Sequence, residues 1–421
     1  MSSTISSTAG LDPRRTVAEL KELRSLTGNA DGAQRVAFTP TWAAARAFLR
    51  EKLAALPVEV HVDAAGNMWA TLKGKSDREL LMGGHIDSVP NGGWLDGCLN
   101  TLAGLEVLRR VAAEGAPPPV TVRLVDWCDE EGARFGRSLF GSSAASGALV
   151  PDEVRNLTDR DGIKLIDAAR AHGIDLDRAP DARRELARAA AYLELHIEQG
   201  PVLESKGLPM GAVLGTFGVE RHTIAFTGQA AHSGSTPMNH RRDALAGVSK
   251  LHLAVREIAA RHGGVCTVGK VTTEPGIVTA VVGRAEMTLD QRHLDAAILA
   301  RMYADARDAS GRIASEEKID VAWKKLWQIQ PFPFHPELIE MADESIREVC
   351  GVSHRLPSGP LHDAAEVCRA GVPTVMLFVQ SLRGISHNKI EDTAEAHLEQ
   401  SVRALDRLAS KAMRWIEQRP V

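Results

Sequence analysis

Two short polar segments of this chain carry more metal-binding side chains than folding alone requires. His85, Asp87 and Asp96 follow one apolar run, and the adjacent Glu130 and Glu131 follow another. Both runs have the composition of strands that end in loops, where α/β proteins place their active sites. Imidazole nitrogens and carboxylate oxygens suit Zn²⁺ or Mn²⁺. The two segments together predict a carboxylate-rich metal centre.

Further candidate ligands are histidines that stand among polar or small residues: His196, His232, His362 and His387. The chain has 15 histidines, and those in helices, ordinary strands or plain loops are interpreted as surface or packed side chains. Position alone therefore leaves open which of these four histidines bind metal.

Spacing within the two segments predicts different duties for neighbouring residues. Side chains alternate along an extended chain, so His85 and Asp87 point to the same side, and Asp87 can orient the imidazole of His85. Glu130 and Glu131 diverge, so one can bind metal while the other faces substrate, as metal-assisted hydrolysis requires. Taken alone, the glutamate pair would favour a solvated acidic turn; together with the other polar clusters it favours a metal site.

Bulk properties exclude several classes of protein. A chain of 421 residues with a net charge of −4 and no basic block is not expected to bind nucleic acid. Its apolar runs are too short to span a bilayer, and Met1–Ser7 lacks the features of a signal peptide. The five cysteines include no C-x-x-C pair, which argues against disulfides or a thiolate zinc site. We therefore expect a cytoplasmic protein that acts on a small molecule, away from membranes.

Helix and strand patterns alternate through most of the chain and predict an α/β fold. Residues 1–213 and 329–421 are expected to form two segments of one catalytic domain, a mixed sheet flanked by helices. Residues 214–328 change character and are expected to form a smaller, inserted α+β domain that acts as a lid or in dimerisation. Hinges near the two junctions would let the domains close around substrate.

Seven regions, in order along nearly the whole chain, resemble the hydantoinase/carbamoylase family of amidases. This family includes N-carbamoyl-L-amino acid hydrolases and allantoate amidohydrolases, within the aminoacylase/carboxypeptidase superfamily of dinuclear metal hydrolases. The similar segments are GHIDSV and GGWLDG within 84–97, EEGARF at 130–135, HIEQGP at 196–201, GQAAHSGSTPM at 228–238, LDQR at 289–292, HDA at 362–364 and GISHN at 384–388.

The resemblance implies a ligand for each metal position. His85 and His196 would bind one ion, Glu131 and His387 the other, and Asp96 would bridge the two. Asp87 would stand behind His85, and Glu130 would be the general base for a metal-bridging water. The implied cofactors are two divalent ions per chain, with zinc as the family expectation and Mn, Co or Ni as alternatives.

The resemblance also implies residues that bind substrate. His232 would reach a neighbouring subunit's active site and stabilise the oxyanion, which implies a homodimer; the alternative is a loop histidine bonded to its own turn. Arg292 would hold a substrate carboxylate, unless it is a surface ion pair with Asp290 or Asp295. Gln199 would face substrate, and His362 would lie behind the site or against substrate.

Three departures from the family pattern fall near the expected pocket. Asn100 stands where a glycine is usual, Pro360-Leu361 replace smaller residues, and Thr279 replaces an asparagine that helps to bind the substrate carboxylate. The resemblance therefore predicts hydrolysis of the C–N bond of an N-carbamoyl (ureido) amino acid or a close analogue. The alternatives are allantoate or another ureido acid of purine breakdown and, more distantly, an N-acyl amino acid or dipeptide. A non-catalytic binding protein is disfavoured because the ligand set and Glu130 are all retained.

Overall fold

Helices and strands alternate along the chain in the computed structural model, which describes residues 10–419. The Met1–Ser7 segment lies outside the described residues. No helix within residues 10–419 has the length and apolar character needed to cross a membrane. The α-helices are α1 (Pro13–Thr27), α2 (Pro40–Ala54), α3 (Cys98–Ala113), α4 (Phe140–Ser146), α5 (Pro151–Val154), α6 (Leu165–Ala171), α7 (Val202–Ser205), α8 (Ala244–His262), α9 (Ala296–Glu317), α10 (Pro336–Cys350), α11 (Asp363–Arg369) and α12 (Glu395–Glu417).

Three short 3₁₀ segments lie at Ala179–Leu186, Met238–His240 and Leu382–Gly384. The strands are β1 (Gly28–Asn29), β2 (Gly32–Ala33), β3 (Glu59–Val62), β4 (Met68–Leu72), β5 (Glu79–His85), β6 (Thr121–Trp127), β7 (Ala189–Ile197), β8 (Met210–Thr216), β9 (Gly218–Thr227), β10 (Ala231–His232), β11 (Val265–Thr267), β12 (Val271–Glu274), β13 (Ala280–Val281), β14 (Arg284–His293), β15 (Asp320–Ile329), β16 (Phe332–Pro333), β17 (Arg355–Ser358) and β18 (Thr374–Val379).

The chain divides into two units. The larger unit combines the chain up to Leu214 with the chain from Phe334 onward, and the smaller unit is Gly215–Pro333. The boundary expected at 328 falls inside β15. The strand continues to Ile329, and β16 then pairs with Gly215 and Thr216 at the start of the same unit. The boundary between the two units therefore lies five residues after the expected one. Local composition cannot predict this strand pairing.

The larger unit is built on a mixed sheet in the order β8-β18-β7-β5-β6-β4-β3. Its four central strands, β18, β7, β5 and β6, are parallel, whereas β4, β3 and β8 run antiparallel to their neighbours. Every residue of β5, β6 and β18 is buried, as expected for parallel strands covered on both faces by helices. The carboxyl ends of the central strands therefore meet at one edge of the sheet.

Amphipathic helices cover this sheet. The long α12 buries a stripe that includes Leu398, Val402, Leu405 and Leu408, and it packs against α1, α3 and α10. Burying each such leucine contributes roughly 2 kcal/mol. The other side carries α4 and α11, which also contact each other. Both faces of the central strands are thus held by packing.

The region 151–190, whose Asp, Arg and Ala residues have helical spacing, forms only short elements. These are α5, α6 and a 3₁₀ segment. Gly162 and Gly173 each adopt a φ of +80°, a conformation that interrupts a helix. Residues at helical spacing therefore do not form one continuous helix in this region.

The smaller unit has an antiparallel sheet in the order β11-β14-β9-β15, with β12 also paired to β14. The helices α8 and α9 pack on one face, where alternate residues of β9 and β14 such as Phe226 and Met287 are buried. Two short strands, β11 and β12, lie between α8 and β13. The predicted fold class, an α/β mixed-sheet domain with an inserted smaller α+β unit, is confirmed.

Candidate metal centre

The sheet of the larger unit brings three polar segments to the same edge. His85 is the last residue of β5, and it pairs in register with Trp127, the last residue of β6. His196 lies near the end of β7, which runs parallel to β5. Ligand positions after β5, β6 and β7 therefore converge because these strands share a direction.

The first group of possible metal ligands is fully buried. His85, Asp96 and His196 each offer a ligand atom, and these atoms lie within 4.8 Å of one another. The Nε2 of His196 is 3.1 Å from Oδ1 of Asp96. None of the three residues is more than 3% exposed. Protein packing therefore fixes this group on all sides.

The second group shares Asp96 with the first. Asp96, Glu131 and His387 also place ligand atoms within 4.8 Å of one another. The Nε2 of His387 lies 3.3 Å from Oδ2 of Asp96 and 3.4 Å from Oε2 of Glu131. The His387 side chain is 51% exposed. Asp96 thus presents one carboxylate oxygen to each group, the arrangement of a bridging ligand.

The donor atoms of both groups fit divalent metal ions. One group supplies two imidazoles and a carboxylate, and the other supplies one imidazole and two carboxylates, a set that suits Zn²⁺ or Mn²⁺. Burial raises the pKa of Glu131 to about 7, and the nearby charge of Asp96 adds to this effect. A bound cation would relieve the repulsion between these carboxylates. All five predicted ligands are brought together.

Hydrogen bonds to backbone carbonyls orient two of the imidazoles. Nδ1 of His196 is 2.8 Å from the carbonyl oxygen of Ile197, and Nδ1 of His85 is 3.2 Å from that of Asp87. An Nδ1–H donated to these carbonyls leaves each Nε2 unprotonated and able to bind metal. These contacts favour, in the neutral imidazoles, the tautomer that a metal ligand requires.

Asp87 also anchors the loop that carries the two glutamates. Its Oδ1 and Oδ2 accept hydrogen bonds from the backbone N–H groups of Glu130 and Glu131, each at 3.2 Å. The Oδ1 lies 3.6 Å from Nδ1 of His85. The residue predicted to orient His85 is thus placed to position the glutamate pair as well.

Glu130 lies beside the ligands without belonging to either group. Its Oε2 is 3.7 Å from Nε2 of His85, and the residue is 8% exposed. Burial raises the pKa of Glu130 well above the usual range for a glutamate; His85 opposes this, and Asp363 and Glu131 add to it. A buried carboxyl group with a raised pKa is suited to accept and hand on a proton.

Gln199 and His362 both contact ligand residues. Nε2 of Gln199 donates hydrogen bonds to Oδ2 of Asp96 at 2.9 Å and to Oγ of Ser386 at 3.2 Å. The His362 ring is buried, with its centroid 4.4 Å from that of His196. In this structure Gln199 therefore binds the shared carboxylate, and His362 packs behind a ligand.

Two of the departures from the family pattern have a visible structural role. Nδ2 of Asn100, on the buried face of α3, donates a hydrogen bond to the carbonyl oxygen of Gly83. The carbonyl oxygen of Pro360 accepts a hydrogen bond from Oγ of Ser358, which itself lies 2.9 Å from Nε2 of His362. Both positions thus support the residues around the ligands.

The remaining predicted site residues, His232, Thr279 and Arg292, belong to the smaller unit. Nδ1 of His232 accepts hydrogen bonds from the backbone N–H groups of Gly234 and Ser235, as in the alternative of a histidine bonded to its own turn. Thr279 is exposed. Nε of Arg292 is 2.8 Å from Oδ1 of Asp290, which is one of the two ion pairs given above as the alternative role of Arg292. The roles of these three residues toward substrate stay predictions.

Supporting residues that sequence reasoning missed include Gly97 and Glu391. Gly97 has a φ of +68°, and a Cβ there would come within 2.5 Å of the His85 ring, so only glycine lets that imidazole approach. Its position directly after Asp96 was an available signal. Glu391 is 2% exposed and bonds the backbone of Asp96, whereas nothing in its sequence context distinguishes it.

Comparisons with known proteins agree with this geometry. The model of peptidase family M20/M25/M40 matches residues 81–411. An allantoate amidohydrolase of Escherichia coli K12 is 35% identical over 89% of this chain and 92% of its own. An N-carbamoyl-L-amino acid amidohydrolase of Geobacillus stearothermophilus is 34% identical over 86% and 88%. A hydantoinase/carbamoylase family amidase from Burkholderia multivorans superimposes with a TM-score of 0.87 at 31% identity, covering 99% of this chain and 100% of that one.

Proposed function

This chain belongs to peptidase family M20/M25/M40, and we propose that it uses two metal ions to hydrolyse the ureido group of an N-carbamoyl amino acid. The resemblance to hydantoinase/carbamoylase amidases is confirmed, and the chain is a metal-dependent hydrolase that acts on C–N bonds. The observation that carries the proposal is the arrangement of Asp96, which directs one carboxylate oxygen toward each ligand group. Glu130 lies beside them and belongs to neither group.

The two ligand groups support a proposed set of residues for each metal position. His85 and His196 would hold one ion, Glu131 and His387 the other, and Asp96 would contact both. Bound metal ions would acidify the attacking water and polarise the ureido carbonyl. We propose zinc as the resident metal, because two imidazoles and a carboxylate are common zinc ligands.

Glu130 is the proton carrier in this proposal. It takes a proton from the water that attacks the ureido carbon and delivers it to the departing nitrogen as the C–N bond breaks. Ammonia leaves, and the remaining carbamate loses carbon dioxide to free the amine of the amino acid. The two N–H groups bonded to Asp87 keep the Glu130–Glu131 backbone in place during the transfer.

Residues of the smaller unit are proposed to select the substrate. Arg292 would hold the substrate carboxylate with its planar guanidinium, and Thr279 would lie at the same carboxylate. His232 would donate a hydrogen bond to the developing oxyanion from a neighbouring subunit, so the active form would be a homodimer. Gln199, already bonded to Asp96, would contact substrate from the larger unit.

Allantoate is a second candidate substrate. It also carries a ureido group and a carboxylate, and the E. coli relative bears the name allantoate amidohydrolase. Thr279 weakens the case for an ordinary N-carbamoyl α-amino acid, because it stands where the family pattern has an asparagine that helps to bind the substrate carboxylate. We further propose a cytoplasmic location, in keeping with free cysteines at all five positions and no expected contact with nucleic acid or membrane.

A substrate panel tests this function directly. Ammonia release would be measured with N-carbamoyl α-amino acids, N-carbamoyl β-amino acids and allantoate, alongside N-acetyl amino acids and dipeptides followed by their own products. We expect turnover of a ureido acid, with ammonia and free amine in equal amounts. Hydrolysis confined to N-acetyl amino acids or dipeptides would contradict the proposal.

A further inference from the structure

A buried glutamate outside the ligand set joins the loops that carry Asp96 and His387. Oε1 of Glu391 accepts hydrogen bonds from the backbone N–H groups of Leu95 and Asp96, both at 3.1 Å. Its Oε2 lies 2.9 Å from the hydroxyl of Ser386, the residue before His387. One carboxylate therefore contacts the backbone of one ligand and the chain neighbour of another.

Two further observations support this link between the two loops. A Cβ on Gly93 would lie 2.0 Å from Cδ of Glu391, so glycine at this position lets the carboxylate approach the loop. Oγ of Ser386 also lies 2.9 Å from Oδ2 of Asp96. The link thus runs from Glu391 through Ser386 to the carboxylate shared by both ligand groups.

The two ligand groups depend on this link to different degrees. His85 and His196 are held by the ends of buried strands. His387 lies on a loop, with a φ of +54° and about half of its side chain exposed. Without Glu391, packing would still hold the first two histidines, whereas the loop of His387 would lose its connection to the backbone of Leu95 and Asp96 and keep only the contact of Ser386 with the Asp96 carboxylate.

We propose that Glu391 is a positioning residue that sets the affinity of the Asp96–Glu131–His387 group for its metal ion. It acts through hydrogen bonds and does not bind the ion. The inference rests on the proposed two-metal function. Outer contacts of this kind typically change metal affinity by about 10- to 100-fold, and the His85–Asp96–His196 group should change much less.

The test measures zinc binding to variants of the full-length protein. Glu391→Ala removes all the hydrogen bonds, whereas Glu391→Gln can keep them: its amide oxygen accepts the two backbone N–H groups, and its amide nitrogen donates to Ser386. Zinc per chain would be measured at buffered free Zn²⁺, together with calorimetric titration of the metal-free protein. We expect Glu391→Ala to retain one ion and to bind the second about 10- to 100-fold more weakly, and Glu391→Gln to bind both ions like the wild type.

Controls separate this role from a general loss of structure. Glu395→Ala removes an exposed glutamate four residues along the chain and should leave both affinities unchanged. Ser386→Ala breaks the same link on the partly exposed loop and should weaken the second ion if Glu391→Ala fails to fold. The inference is overturned if Glu391→Ala binds both ions as the wild type does, or loses both equally. Wild-type protein that binds fewer than two ions would instead refute the proposed function.

Discussion

The larger and smaller units hold their candidate site residues in different ways. In the larger unit, His85 and His196 stand at the ends of buried parallel strands, and each is 2% exposed. In the smaller unit, His232 and Thr279 lie on exposed segments and form hydrogen bonds with their own neighbourhood. Side chains placed by a rigid sheet keep their geometry, whereas loops tolerate substitution. In the proposed function, the reaction type therefore depends on residues placed by the sheet, and substrate choice depends mainly on residues of the smaller unit.

The largest effect is expected from Glu130→Gln in the larger unit. The amide keeps the shape of the side chain and cannot carry the proton, so kcat should fall by about 10²- to 10⁴-fold. Metal content should stay at the wild-type value because Glu130 belongs to neither ligand group. Steady-state kinetics and metal analysis on the same preparation check both expectations.

Glu153→Gln is the matched control, because it makes the same change at an exposed position. Its kcat should equal that of the wild type. If Glu130→Gln also keeps a kcat close to the wild-type value, Glu130 is not the proton carrier. The catalytic role proposed for this part of the metal centre would then be rejected.

A smaller effect is expected from Arg292→Ala in the smaller unit. Loss of charge-assisted hydrogen bonds to the substrate carboxylate should raise KM by about 10- to 100-fold. Much of kcat should remain, because Glu130 and the proposed metal ligands lie in the larger unit. Initial rates over a range of ureido-acid concentrations separate the two constants.

Arg284→Ala controls for the loss of a guanidinium from the same strand, since Arg284 begins β14 and pairs with Glu286. Its KM should stay near the wild-type value. An Arg292→Ala variant with unchanged KM would show that Arg292 does not hold the substrate carboxylate. Substrate choice would then have to depend on residues other than Arg292.

Within the larger unit, some site residues could be predicted from the local sequence and others could not. His85 and the pair Glu130–Glu131 directly follow apolar runs, so the local sequence pattern is sufficient to place them at strand ends. The assignment of His196 and His387 required the resemblance to a known family. Their partners lie far away in the sequence, and spacing carries no information about such contacts.

Glu391 marks the limit of prediction from the sequence. It bonds the backbone of Asp96 across 295 residues of sequence. A single acidic residue in a polar loop has no periodic pattern or motif that distinguishes it from a solvated side chain. Long-range supporting contacts of this kind appear only when the fold brings the loops together.

Metal content is the measurement that tests the central claim most directly. The claim is that Asp96 joins two ligand groups into one site for two ions. Metal analysis of the purified wild-type protein, equilibrated with Zn²⁺ and then freed of unbound metal, should find two ions per chain. A content of one ion or fewer per chain would contradict the two-metal site.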